Sequence, residues 1–277
     1  MIPQKKPYFI SASNAKLTRA ILATRKLHPV NILITGRHGL GKSELARQIS
    51  AYYNLEYYPI SINLLQESGQ LMGHDEYSNG VGTHFDPSVF VQAIQKPNTL
   101  VHLEELNRPE SSKAIGELFP LLDDARMIVH DKLGEVKVAN GTVFVATLNE
   151  GYEYTGIDPL DSALRDRFYF IQLDYLPAQH EVVLVLQRTG LLPEPAEKLV
   201  KFVNSLRQNS KEPIHISTRR VLMMAELMLG GLSLKSAIVA CVGVDKDKLE
   251  SILMAQDFRG EGTPASSDDG YVMFDGG

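Results

Sequence analysis

Residues 36–43 read G-R-H-G-L-G-K-S and lie between VNILIT (30–35) and ELARQISAYY (44–53). A short β-branched apolar run, a glycine-rich octad and an amphipathic stretch together predict a strand, a loop and a helix. Glycine at this spacing lets backbone N–H groups turn inward onto phosphate oxygens. Lys42 then neutralises the terminal phosphates, and the Ser43 hydroxyl can ligate Mg²⁺. The helix adds the positive end of its dipole. The predicted phosphate-binding residues are Gly36, Arg37, His38, Gly39, Leu40, Gly41, Lys42 and Ser43, with Glu44 just behind them. A loop of this kind needs a strand below it and further parallel strands beside it, which narrows the fold to the α/β class.

The rest of the first 176 residues fits that class. NAKLTRAILATRKL (14–27) has helical spacing, EYYPISIN (56–63) reads as a second strand, and PSVFVQAIQ (87–95) is a helix opened by proline. NTLVHLEEL (98–106), TVFVATLN (142–149) and FYFIQL (168–173) are further strands, with helices expected over 109–124 and 161–168. Two stretches break the alternation. The glycine-rich segment 69–86 reads as a short hairpin or an ordered loop, and the segment 126–138 as a hairpin. Beyond Leu176 the strand pattern stops, and 179–190, 195–208, 218–229, 232–242 and 246–257 all read as helices.

Phosphoryl-transfer sites built on such a loop need an acid on a neighbouring strand to hold the metal. The run Leu100 to Glu105 ends in two, 62 and 63 residues after Lys42. Glu104 is the predicted metal partner beside Ser43, and Glu105 the group that polarises the attacking water. Asn149 closes the strand TVFVATLN, where a neutral amide can orient that water without adding charge. Arg165 and Arg167 lie two apart just before the last strand and can stabilise charge on a transferring phosphoryl group. In Ser217-Thr218-Arg219-Arg220 a hydroxyl can cap a helix while an arginine points at the phosphates. His102, inside a strand, reads as a satisfied core residue. The eight histidines form no zinc-type spacing.

Composition excludes several classes. At 44% hydrophobic and 22% charged residues the chain is globular rather than disordered. Its longest strictly aliphatic run, Val182 to Leu186, is far short of the ~20 residues that span a bilayer. No signal peptide is visible at the start, and the single Cys241 fits a reducing, cytoplasmic compartment. Of the net charge of −5, four units come from Glu261, Asp268, Asp269 and Asp275 in a final stretch without Lys or Arg. The remaining body is nearly neutral, which argues against a nucleic-acid partner.

The order of these features resembles AAA+ ATPases, and within them the MoxR group. LEELNRPE (103–110), FPLLDDARMIV (119–129), GYEYTG (151–156) and LDSALRDRF (160–168) are similar to its CbbQ/NorQ/GvpN-like branch, as is STRR (217–220). The resemblance covers roughly residues 14–240. It implies a P-loop αβα sandwich with a five-stranded parallel sheet in the order 5-1-4-3-2 and a C-terminal all-helical lid. The expected division is a nucleotide-binding core over 1–178 with hairpin insertions near 69–86 and 126–138, a lid over 179–258, and an acidic, disordered tail over 259–277. It further implies ATP and Mg²⁺ as cofactors, a homo-hexameric ring, and a protein client reached together with a partner carrying a von Willebrand factor A domain. Arg167 or Arg165 is implied to act in trans on a neighbour's ATP, Asn149 to be the strand's sensor, and Arg219 the lid's.

One departure is local. The group carries Asp then Glu where this chain has Glu104 then Glu105, which moves the first carboxylate out by about one methylene, and Mg²⁺ tolerates little geometric error. A nucleotide-gated scaffold with weak hydrolysis therefore stands beside the remodelling ATPase. The motor subunit of a metal chelatase shares the same core and differs only in its partner. A nucleic-acid-directed NTPase meets the objection that 69–86 holds Asp75, Glu76 and Asp86 but no Lys or Arg.

Overall fold

The computed structural model describes residues 1–78, 82–109, 111–149, 160–208, 214–243 and 270–276. The core opens with β1 (Phe9–Ser11), α1 (Ala12–Ala23), β2 (Val30–Thr35), α2 (Lys42–Tyr52) and β3 (Glu56–Ser61). It continues through β4 (Gly73–Ser78), β5 (Gly82–Pro87), α3 (Val89–Ile94), β6 (Thr99–Glu104), α4 (Leu118–Leu122), β7 (Met127–His130), β8 (Gly134–Lys137) and β9 (Val143–Thr147). It closes with α5 (Ser162–Arg165) and β10 (Tyr169–Gln172). The helices α6 (Ala178–Thr189), α7 (Pro193–Arg207), α8 (Thr218–Leu229) and α9 (Leu234–Val242) follow, and then β11 (Tyr271–Met273).

Five strands form one parallel sheet in the order β10-β2-β9-β6-β3. Taken in chain order this is the expected 5-1-4-3-2. All six residues of β2 are buried, as a strand with neighbours on both edges and cover on both faces requires. β3 lies at the edge, and only there can a strand carry Pro59, which has no N–H to give to a ladder. One face of the sheet packs Phe90, Leu118, Leu121 and Phe144 from the side of α3 and α4. The other packs Leu22, Leu45, Ile49 and Ile34 from the side of α1 and α2. A third core, with Leu199, Val203, Val221 and Met224, is internal to the C-terminal helices.

Both predicted hairpins are present as antiparallel pairs, β4 with β5 and β7 with β8. They lean on each other: Lys132 Nζ donates to Asp75 Oδ1 at 2.6 Å, and the Phe85 and His130 rings lie 5.2 Å apart. The helix expected over 109–124 is shorter than predicted. A 3₁₀ turn over 112–115 is separated from α4 by Gly116, and α4 itself carries Pro120 in its first turn, where no N–H is missed. The helix expected from 14 begins at Ala12, because Ser11 caps it by accepting from the Asn14 amide.

The end of the tail is not disordered as expected. Residues 270–276 are ordered: β11 pairs antiparallel with β1, and Phe274 is fully buried in the core beside α1 and α2. The net negative charge of the last stretch hid Phe274, whose buried ring holds it down, and the half-buried Tyr271. The block GYEYTG, the helix expected over 246–257 and the tail up to 269 lie outside the described residues.

Candidate nucleotide site

The octad joins the end of β2 to the start of α2. Gly41 is the residue before the helix and has φ +91°, a left-handed conformation that glycine adopts without strain. It offers no side-chain cap, so the first amides of α2 point out of the helix without an internal acceptor. That is the donor array an anion requires. Lys42 is buried, and its Nζ donates to the carbonyls of Gly36 and Arg37 at 2.8 and 2.7 Å, which folds the side chain back over its own loop.

These residues open onto a cavity of about 990 Å³. His38, Gly39, Leu40, Gly41, Lys42, Ser43 and Glu44 line one wall. Glu104 and Glu105 reach it from the end of β6, and Asn149 from just beyond β9, all at the C-terminal edge of the sheet. Arg219 arrives from α8. Residues as far apart in sequence as 38 and 219 are therefore brought together. Gly36 and Arg37 line no part of the cavity, and Arg37 lies against His215 instead.

Glu104 sits at the edge of burial. Ser61 Oγ donates to its Oε2 at 3.4 Å, and His102 Nδ1 lies 3.4 Å from its Oε1. That approach is not an ion pair. Burial, reinforced by the charge of Arg47, pushes the His102 pKa down from 6.5 to about 3. Neutral His102 has a partner on both nitrogens: Tyr57 Oη at 2.6 Å from Nδ1 and Thr147 Oγ1 at 3.1 Å from Nε2. Burial also raises the Tyr57 pKa, so its hydroxyl keeps its proton and donates to Nδ1. His102 is thus a satisfied core residue that ties β3, β6 and β9 together beneath Glu104.

Glu105 has φ +56°, left-handed for a residue with a Cβ. Such conformations cost about 1–3 kcal/mol and concentrate at functional sites. Here the turn out of β6 is fixed by Leu106 N donating to Thr147 O at 3.0 Å and Arg108 N donating to Glu105 O at 2.9 Å.

The lid is tied to the loop. Ser217 caps α8 by accepting from the Arg220 amide, and the Arg219 amide donates to Gly39 O at 3.3 Å. Beneath α8, Arg207 pairs with Glu181 at 2.8 and 3.0 Å, and Thr218 Oγ1 donates to the same carboxylate at 3.0 Å. Glu181 is fully buried, so this network fixes the start of α8 against α6 and α7.

Arg165 and Arg167 line no part of the cavity. Arg167 is engaged locally, with Nη2 donating to Asp123 at 2.9 Å and the guanidinium over the Phe119 ring. Arg165 is exposed, lies over the Phe170 ring, and makes no ion pair among the described residues.

The cavity also has walls that the motifs did not indicate. Pro7 to Ile10 of the N-terminal segment, Arg188 of α6 and Tyr271 of β11 all line it. Arg188 Nη2 donates to Pro7 O at 3.2 Å and lies 3.4 Å from Glu44 Oε1, joining the lid, the N-terminal segment and α2. No motif marks these residues, because each faces the site through tertiary packing alone.

Residues 31–168 match the AAA domain of the dynein-related subfamily, and residues 181–252 match the CbbQ/NirQ/NorQ C-terminal domain. BssE of Thauera aromatica is 42% identical over 255 residues, 92% of this chain and 89% of that one. The chain belongs to the CbbQ/NorQ-type AAA+ ATPases. NorQ of Paracoccus denitrificans is 24% identical over 226 residues, 80% of this chain and 82% of its own. Among solved structures, the RuvB Holliday junction branch migration motor of Thermotoga maritima aligns over 95% of this chain and 92% of its own, at 18% identity and a TM-score of 0.46. No helix among the described residues of this CbbQ/NorQ-type protein is long and apolar enough to cross a membrane.

The residues present fit the nucleotide and Mg²⁺ that the family implies. The uncapped start of α2 and Lys42 suit phosphates, and Ser43 and Glu104 share the cavity as hard oxygen donors of the kind Mg²⁺ takes.

Proposed function

We propose that this chain is a ring-forming ATPase that couples ATP hydrolysis to remodelling or activation of a protein client, with each active centre completed by the neighbouring subunit. One observation carries the reading. The cavity gathers Lys42, Glu105, Asn149 and Arg219, while the two arginines suited to a transferring phosphoryl group line no part of it. Within one chain the constellation is incomplete; a second copy supplies what is missing.

In this reading the loop amides and Lys42 hold the phosphates. Ser43 and Glu104 would hold Mg²⁺, which neutralises phosphate charge when bound. Glu105 takes a proton from the attacking water as the new P–O bond forms and the bond to the leaving β-phosphate oxygen breaks. Asn149 orients that water. Arg219 links phosphate state to the lid through its bond to Gly39. Arg165 is the better candidate to act across the interface, because Arg167 is held by Asp123.

BssE is designated a candidate chaperone, which supports a protein client. The two hairpins, pinned together by Lys132 and Asp75, are the proposed client-facing elements, and a hexamer and a von Willebrand factor A domain partner belong to the same proposal. The cytoplasm is its proposed compartment.

Mg²⁺-dependent phosphate release from the purified protein tests the assignment. Lys42→Ala should abolish binding, and Glu105→Gln should retain binding but lose turnover. Undiminished turnover in both variants refutes the roles. The substitution at Glu104 favours a second reading, a nucleotide-gated scaffold with weak hydrolysis. A large gain in rate for Glu104→Asp selects it, and no gain selects the first.

A further inference from the structure

The C-terminal strand is built into the nucleotide cavity. β11 pairs with β1 in the register Ser11↔Tyr271, Ile10↔Val272 and Phe9↔Met273. The pairing is extended at both ends: Ala12 N donates to Gly270 O at 2.6 Å, and Phe274 N donates to Tyr8 O at 2.8 Å. Phe274 is fully buried edge-on to Tyr52, with ring centroids 5.5 Å apart, and Asp275 pairs with Arg19 at 2.6 Å. These contacts anchor the strand on the core rather than on the lid.

Tyr271, at the opposite end of the strand from this anchor, is half-buried and lines the same cavity as Lys42 and Ser43. His180, in the first turn of α6, lies between Tyr271 and Phe9, tilted against the first and edge-on to the second, with ring centroids 5.5 Å from each. The N-terminal strand, the C-terminal strand and the first lid helix therefore meet in one aromatic cluster, of which Phe9 and Tyr271 line the cavity. With phosphates held at residues 39–43, the remainder of the cavity is left for ribose and base. A planar base is held best by an aromatic face, and a tyrosine gives one at low entropic cost.

We propose that β11 is a wall of the nucleotide pocket and that Tyr271 contacts the base of the bound nucleotide. The inference rests on the nucleotide reading above. Linkage then works in both directions: a bound nucleotide stabilises the docked strand, and a docked strand tightens nucleotide binding.

Calorimetric titration of the full chain tests this with two probes, ADP and inorganic tripolyphosphate, which has no base. Tyr271→Ala should weaken ADP by about tenfold or more and leave tripolyphosphate unchanged. Tyr271→Phe, which keeps the ring, should bind ADP as the parent does. Hydrogen exchange at 270–276 should slow when ADP is added. Unchanged ADP affinity in Tyr271→Ala overturns the base contact and leaves the nucleotide reading standing. An equal loss for both probes also overturns it, because a residue directed at the base cannot weaken an anion that lacks one. Failure of the parent chain to bind either probe overturns the nucleotide reading and this inference together.

Discussion

The Arg219 amide donates to the Gly39 carbonyl at 3.3 Å, so the lid helix α8 is hydrogen-bonded to the phosphate-binding loop within one chain. Gly39 makes that approach feasible. Its φ is +72°, and a Cβ added there would lie 2.5 Å from both Cβ and Oγ of Ser217.

Gly39→Ala should therefore separate lid from loop. The variant carries left-handed strain of about 1–2 kcal/mol and must displace the Ser217 cap. ADP affinity measured by calorimetry should fall, because displacing Ser217 also shifts the adjoining Arg219, which lines the cavity. Unaltered affinity would show that the contact does not couple lid to loop.

His102 sets a pH dependence of stability. Its pKa in the fold is pushed down to about 3 by burial, while the unfolded chain titrates near 6.5. Below 6.5 the unfolded state binds a proton that the folded state refuses. The stabilisation is fully present above 6.5 and is lost as pH falls from 6.5 toward 3. Between pH 7.5 and 5 the loss should be about 2 kcal/mol. Urea denaturation of the parent and His102→Asn at both pH values checks this. The variant should be less stable at pH 7.5 and show a smaller pH-dependent drop. Identical drops would mean that His102 titrates normally.

Glu105 carries backbone strain. Its φ of +56° is strained for a side chain with a Cβ. Glu105→Gly should raise the unfolding free energy by about 0.5–1 kcal/mol and abolish phosphate release. Glu105→Gln keeps the strain and should leave stability unchanged. If the glycine variant is no more stable than the glutamine variant, the strain is not stored there.

Much of this architecture is legible in the sequence, and the reason is local. VNILIT, TVFVATLN and the run ending in Glu104 are apolar segments buried on both faces, and each carries its candidate site residue at or just beyond the strand's C-terminal end. The octad declares itself because Gly39, Gly41 and Lys42 meet requirements of backbone and charge that few other residues satisfy. What stayed hidden depends on distant contacts. Nothing near Tyr271 announces that it pairs with Ser11, 260 positions earlier. Pro7 and Arg188 enter the cavity only because α6 folds back over the N-terminal segment. The acidic composition of the last stretch outweighed Phe274, which in the fold holds its end to the core.

The claim that a second subunit completes each centre is tested most directly by mixing two inactive proteins. Lys42→Ala has no competent loop but presents an intact Arg165; Arg165→Ala has the loop but lacks the arginine. Phosphate release is measured for each alone and for the equimolar mixture. The account predicts little turnover from either protein alone and a clear recovery in the mixture, where Arg165 of one variant faces the intact loop of the other. No recovery, with mixed assemblies demonstrated by differential tagging, would contradict it.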